Sequence, residues 1–178
     1  MAENFEDRGF DKLKRLIEEK YAGAYEIRKG TQDEDYYDHI DGYLKINECS
    51  NQRLKGREIS FDVKETKKKN RQDSDVCYDY IIVELQGVKG HKGSLYGKQE
   101  YFIFEHKNSW LVIRRQAIID FLKESMDLSV NGLKDYVLKT RDVEPVEYEI
   151  YRRVGRDDRI VYIPLDDILT LVSFEIKK

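Results

Sequence analysis

Ile59-Ser60-Phe61-Asp62-Val63-Lys64 alternates without a break between apolar and polar side chains. Successive side chains of an extended chain point to opposite faces, so Ile59, Phe61 and Val63 face one way and Ser60, Asp62 and Lys64 the other. His39-Ile40-Asp41-Gly42-Tyr43-Leu44-Lys45-Ile46 has the same period. Ile40, Leu44 and Ile46 lie on its apolar side, with His39, Asp41, Tyr43 and Lys45 opposite. Between the two stretches, Asn47 to Arg57 is rich in turn formers (Asn47, Ser50, Asn51, Gly56), which predicts a hairpin with a long connection. Aligning the apolar faces of the two strands brings Asp41, Asp62 and Lys64 onto one polar face.

Two carboxylates and an amine so placed have a definite chemical use. Mg²⁺ keeps part of its water shell and prefers one or two carboxylates plus substrate phosphate. Such an ion, or Mn²⁺ in its place, polarises a phosphate and supplies hydroxide at neutral pH. Lys64 would orient the attacking water or offset charge developing on the phosphate. The competing reading is a solvated strand face carrying an Asp–Lys pair. An Asp-x-Lys downstream of another Asp arises by chance in a chain with 38% charged residues.

The wider sequence bears on that choice. Asp41 followed by Asp62-Val63-Lys64 resembles the PD-(D/E)XK nuclease superfamily, which includes restriction enzymes, Holliday-junction resolvases and phage exonucleases. Asp38-His39-Ile40-Asp41-Gly42-Tyr43, Phe61-Asp62-Val63-Lys64, Val83-Glu84-Leu85-Gln86-Gly87 and Gly93-Ser94-Leu95-Tyr96-Gly97-Lys98 are together similar to small phage and bacterial members. The resemblance covers roughly Phe10 to Glu124, and it departs at Ile40, where the motif has a proline that is often missing in the superfamily. It implies a metal-dependent deoxyribonuclease with a restriction-endonuclease-like core. In that reading Asp41, Asp62 and the main-chain carbonyl of Val63 ligate Mg²⁺ or Mn²⁺, Lys64 is catalytic, and the partner is DNA. It leaves a homodimer open, and leans towards a phage-encoded enzyme acting in a bacterial host. The alternative is a catalytically inactive nucleic-acid-binding or protein-interaction module of the same fold.

Around this centre, Phe10, Leu13, Leu16, Ile17 and Tyr21 mark a helical stripe. Asp11 and Glu18 lie on its flank, either one a candidate first-helix acid for the metal site or an ordinary surface acid. Ala24 to Arg28 reads as the first strand, and Gly30 to Asp38 as an acidic, polar loop. Tyr80 to Gln86 is a strand with Ile81, Val83 and Leu85 on one face. Its Glu84 and Gln86 either supplement the site or occupy a half-exposed strand end. The glycine-rich stretch Gly87 to Lys98 lacks G-x-x-x-x-G-K-[ST], which excludes a P-loop, but offers Lys89, His91, Lys92 and Lys98 to phosphates. Strands at Tyr101 to Glu105 and Trp110 to Arg114 and a helix at Gln116 to Lys123 complete the core. Tyr148 to Val154 and Ile160 to Ile163 predict a hairpin, followed by a short helix at Leu165 to Leu171. The expected class is α/β, a mixed central sheet flanked by helices, with residues 1–124 as core and 125–178 as an extension of the same domain.

Composition bounds the rest. A chain of 178 residues is about one domain long. Its net charge of −3 argues against nonspecific coating of DNA but leaves a local basic path open. Lys67, Lys68, Lys69 and Arg71 form the densest basic run, directly after Lys64, and are read as phosphate contacts against the commoner solvated loop. Cys49 and Cys77 follow no metal spacing and read as free thiols. His39, His91 and His106 do not have zinc-ligand spacing. No apolar run is long enough for a membrane span, and the polar start Met1-Ala2-Glu3-Asn4 shows no signal-peptide pattern, so the expectation is a cytoplasmic protein.

Overall fold

The computed structural model describes residues 8–66, 78–126, 128, 136–137, 148, 150–152 and 155–178. In chain order the elements are α1 (Arg8–Lys20), β1 (Tyr25–Lys29), one π-helical turn (Glu34–Asp38), β2 (Gly42–Ile46), β3 (Glu58–Lys64), β4 (Tyr80–Gln86), β5 (Tyr101–Glu105), β6 (Ser109–Arg114), α2 (Arg115–Ser125), β7 (Tyr136–Val137), β8 (Ile150–Arg152), β9 (Arg159–Pro164), α3 (Leu165–Ile168) and β10 (Val172–Lys177). The chain divides into two compact units. One comprises Met1–Glu65, Lys98–Arg114 and Val172–Lys178, the other Thr66–Gly97 and Arg115–Leu171.

The first unit carries a mixed sheet in the order β1-β2-β3-β5-β6-β10. Its neighbours are antiparallel except β3 and β5, which run parallel from Phe61↔Tyr101 to Lys64↔Phe104. A parallel pair needs a crossover. Here the chain leaves at the end of β3, contributes β4 to the other unit and returns as β5. Phe10, Leu13 and Ile17 of α1 pack on the face built by Leu44, Ile46, Ile59, Phe61, Ile103 and Val112. Phe10 and Phe61 stack with ring centroids 6.1 Å apart. Each such buried side chain contributes about 1.5–3 kcal/mol of transfer free energy. The α/β class with a mixed sheet is therefore what the structure shows.

The second unit carries a sheet in the order β4-β9-β8-β7. Ile81 and Val83 of β4 face Ile163 and Val161 of β9 in antiparallel register, and β8 and β9 form the predicted hairpin through Ile150↔Val161 and Tyr151↔Ile160. Ile118, Ile119 and Leu122 supply the buried residues of α2.

Four features differ from the sequence expectation. Strand pairing crosses residue 124, since β4 joins β9. The C-terminal strand β10, not foreseen, closes the far edge of the first sheet beside β6. β2 begins at Gly42 rather than His39, because His39 takes the left-handed conformation (φ 56°) that ends the π-turn. Finally, the acidic stretch before Asp41 is an ordered π-turn rather than an open loop.

Candidate active site

The hairpin of β2 and β3 sets the site. Its ladder runs from Lys45↔Glu58 to Gly42↔Phe61, and the next step faces Asp41 towards Asp62. Asp41 is held at three points. Its N–H donates to the Phe61 carbonyl (2.9 Å), its carbonyl accepts from the Gly30 N–H (2.9 Å), and its Oδ2 accepts from the Val63 N–H (2.6 Å). Gly42 makes the close approach possible: a Cβ there would meet the Phe10 ring at 2.5 Å and the Arg28 carbonyl oxygen at 2.7 Å. Any larger residue would push Asp41 off the end of β3.

Asp62 is buried, only 4% exposed. Its fully buried Oδ2 lies 2.7 Å from Lys64 Nζ, a close ion pair. On the polar face of β3 Asp62 is thus shielded from solvent, while its partner Lys64 stays partly exposed. The cause is the neighbouring strand. Asp62 and Lys64 stand in register with Phe102 and Phe104 of β5, and Tyr101, Phe102, Ile103 and Phe104 are all buried. Strands in parallel pairs are commonly apolar on both faces. The two polar residues of β3 therefore sit against an aromatic wall.

The electrostatic consequence falls on Asp41. Burial and then the negative charge of Asp62 push its carboxyl up to about 8, and Asp35 adds to the push. The Val63 N–H and Lys64 oppose the shift without cancelling it. Two acids share one ammonium, and the geometry leaves a net demand for a proton or a cation.

Mg²⁺ or Mn²⁺ fits that demand. The donors are hard carboxylate oxygens, one of them a buried Asp62 oxygen without a hydrogen bond. Among the described residues no group of three or more His, Cys, Asp or Glu could hold a metal ion. A cation would rest on Asp41 and Asp62, with main-chain, water and substrate oxygens completing its shell.

Asp41, Asp62, Val63 and Lys64 are thus brought together. Lys67, Lys68, Lys69, Arg71 and Cys77 lie outside the described residues. Asp11 and Glu18 are exposed on α1, and Glu18 is 3.8 Å from Lys14. The α1 residue that reaches the strand ends is instead Lys12, whose Nζ donates to Glu65 (2.7 Å) and lies 3.6 Å from Glu105. Glu84 and Gln86 belong to the second unit, where the Gln86 amide donates to the Asp157 carbonyl (2.6 Å). Lys98 pairs with Asp38 at 2.9 Å, and the Cys49 thiol donates to the Asn51 carbonyl. Lys12 and Glu65 were not singled out from sequence, and Asp35 was read only as one acid of the loop before Asp41. Of these, Glu65 carried a signal, as the next charge along the strand after Lys64.

No protein-family model matches the chain, and neither curated proteins nor solved structures show a match to it. No helix among those described is long and apolar enough to cross a membrane.

Proposed function

We propose that the chain is a Mg²⁺- or Mn²⁺-dependent nuclease that hydrolyses phosphodiester bonds of DNA by a PD-(D/E)XK-type mechanism. The observation that carries this reading is the convergence of two carboxylates and one lysine against an apolar wall, with Asp41 held up to about 8. The finer fold, a restriction-endonuclease-like core, belongs to the same proposal. It is supported by α1 packing on a mixed sheet whose β2–β3 hairpin carries the acids at one end.

In this mechanism Asp41 and Asp62, with the Val63 carbonyl implied by the family resemblance, would hold the cation. When bound, that ion supplies Lewis acidity towards the phosphate and lowers the pKa of its water. Lys64 does the remaining electrostatic work: its ammonium orients the attacking water and offsets charge that builds on the phosphate oxygens. Asp62 fixes Lys64 in place through the 2.7 Å pair. Phe102 and Phe104 keep the surroundings poor in water, which strengthens each of these interactions. Water oxygen bonds to phosphorus as the bond to the leaving oxygen breaks, the attacking water giving up a proton to solvent and the leaving oxygen taking one up. The products are a terminal phosphate and a free hydroxyl.

The test is cleavage of plasmid, linear duplex, single strand, four-way junction and RNA in Mg²⁺ or Mn²⁺, beside Asp62→Ala and Lys64→Ala. Metal-dependent cutting by the wild type, lost in both folded variants, supports the assignment. Equal cutting by all three proteins removes Asp62 and Lys64 from the chemistry. Metal-indifferent binding with no cutting by any of them transfers the site to the inactive binding-module reading.

A further inference from the structure

Between β1 and the candidate active site the chain makes a single π-helical turn, Glu34-Asp35-Tyr36-Tyr37-Asp38. Such turns are rare and tend to occur at functional sites. This one is firmly fixed. The Glu34 carboxylate accepts from the Thr31 N–H (2.8 Å) and hydroxyl (2.9 Å), and also from the Tyr43 hydroxyl on β2. At its far end the Asp38 carbonyl accepts from the Lys98 N–H (2.8 Å) and His39 adopts φ 56°. A histidine in the left-handed region costs energy that the surrounding bonds must offset.

What this scaffold presents is two aromatic rings to solvent. Tyr36 is 61% and Tyr37 73% exposed, more than any other large hydrophobic residue described. The rings meet edge to face, with centroids 4.9 Å apart and planes at 85°. In that geometry the face of one ring stays open to a further planar group. The turn also adjoins the site, because the Ile40 N–H, one residue before Asp41, donates to the Glu34 carbonyl at 3.1 Å.

We propose that Tyr36 and Tyr37 form a stacking site for an unpaired nucleobase of the substrate. This rests on the nuclease reading above and narrows its substrate class to single-stranded or locally unpaired DNA. Stacking on aromatic side chains is the sequence-tolerant way to hold a single strand, since every base has a π-face. The charge pattern makes the same choice. Asp33 and Asp35, both exposed, make the turn repel a phosphodiester backbone, whereas a neutral base is not repelled. An unpaired base can extend away from its phosphate onto the rings, but a base inside a duplex cannot leave its stack without cost.

The experiment measures binding in Ca²⁺ of a single-stranded oligodeoxynucleotide carrying 2-aminopurine, and of the same strand in a duplex, by anisotropy and by base fluorescence. Wild-type protein should bind the single strand more tightly and quench the 2-aminopurine. The Tyr36→Ala/Tyr37→Ala variant should lose the quench and at least about tenfold in single-strand affinity, with duplex affinity unchanged. The Tyr36→Phe/Tyr37→Phe variant should keep both, because stacking does not need the hydroxyls. Full single-strand affinity in the alanine variant overturns the proposal, as does equal loss in the phenylalanine variant or on duplex. A cleavage arm in Mn²⁺ separates the two readings. Stacking by a wild type that never cuts keeps this site and refutes the nuclease; single-strand cutting at full rate by the alanine variant refutes this site and keeps the nuclease.

Discussion

The two ends of β3 carry acids in opposite circumstances. At its start, Glu58 is exposed, bonded to the Arg28 guanidinium at 2.9 and 3.2 Å, and held below the usual carboxylate range chiefly by that contact. Glu26 on β1 is similar, exposed and paired with Lys45. At the other end, Asp62 is buried, and Asp41 beside it is pushed up to about 8. One residue class on one strand thus gives matched surface pairs at one end and an excess of buried negative charge at the other. Matched exposed pairs add little to stability and suggest no chemistry. An unmatched buried acid costs stability in the empty protein, and such perturbed groups concentrate where something binds or reacts.

The largest expected effects come from removing the unmatched end. Lys64→Ala should lower the cleavage rate by about 10²–10³-fold or more, on the scale of removing one electrostatic donor at a reacting oxygen. Circular dichroism should show the fold unchanged, and residual single-turnover cleavage at wild-type rate would dissolve the contrast between the two ends.

Asp41→Asn sharpens the contrast because two of its consequences have opposite signs. The amide oxygen can still accept from the Val63 N–H, so the local geometry is kept while the charge is removed. Activity should vanish, yet the metal-free variant should be more stable than wild type near pH 8. The sign follows from linkage. The folded-state value of Asp41 lies above its unfolded value of 3.8, so its stabilising contribution is complete below about pH 4 and is lost as pH rises towards 8. The difference amounts to a few kcal/mol at most, since part of the side chain remains accessible. Chemical denaturation in chelator from pH 5 to 9 should show wild type weakening with pH and Asp41→Asn holding steady. Glu58 behaves inversely: its contribution is present above the ordinary carboxylate range and is lost in acid.

Divalent cation should act on the same end. At a concentration about a hundred times its Kd, Mn²⁺ should add about 2.7 kcal/mol to wild-type stability. It should add nothing to Asp62→Asn or Asp41→Asn. A thermal shift of equal size in all three proteins would place the ion elsewhere and return the two acids to an empty role.

How far this contrast could be read beforehand depends on the range of the interactions. Alternation in residues 39–46 and 59–64 is a local signal, and the hairpin converts it into register, so the approach of Asp41 to Asp62 and Lys64 was legible. Burial of that polar face was not, because it depends on Phe102 and Phe104 arriving from a strand almost forty positions later through a parallel pairing. The separate sheet of β4 and β9 was hidden for the same reason. β10 is a different case: Val172-Ser173-Phe174-Glu175-Ile176-Lys177 alternates as clearly as β3 does, and only its partner was unreadable. The π-turn and the left-handed His39 have no propensity signal, since Glu34, Tyr43 and Lys98 impose them from three places in the chain.

The smallest effect tests the matched end. A double-mutant cycle on Arg28→Ala and Glu58→Ala should return a coupling of about 0.2–1 kcal/mol, the range of exposed pairs, because both side chains remain in water and lose rotamer freedom to pair. The coupling should shrink further in 1 M salt, where screening acts within about 3 Å. Cleavage should be unaltered in both single variants, since Glu58 and its Arg28 partner lie at the opposite end of β3 from Asp62 and Lys64. A large, salt-resistant coupling would mean that this end too is effectively desolvated. The difference between the two ends would then lie in the number of charges present rather than in their burial.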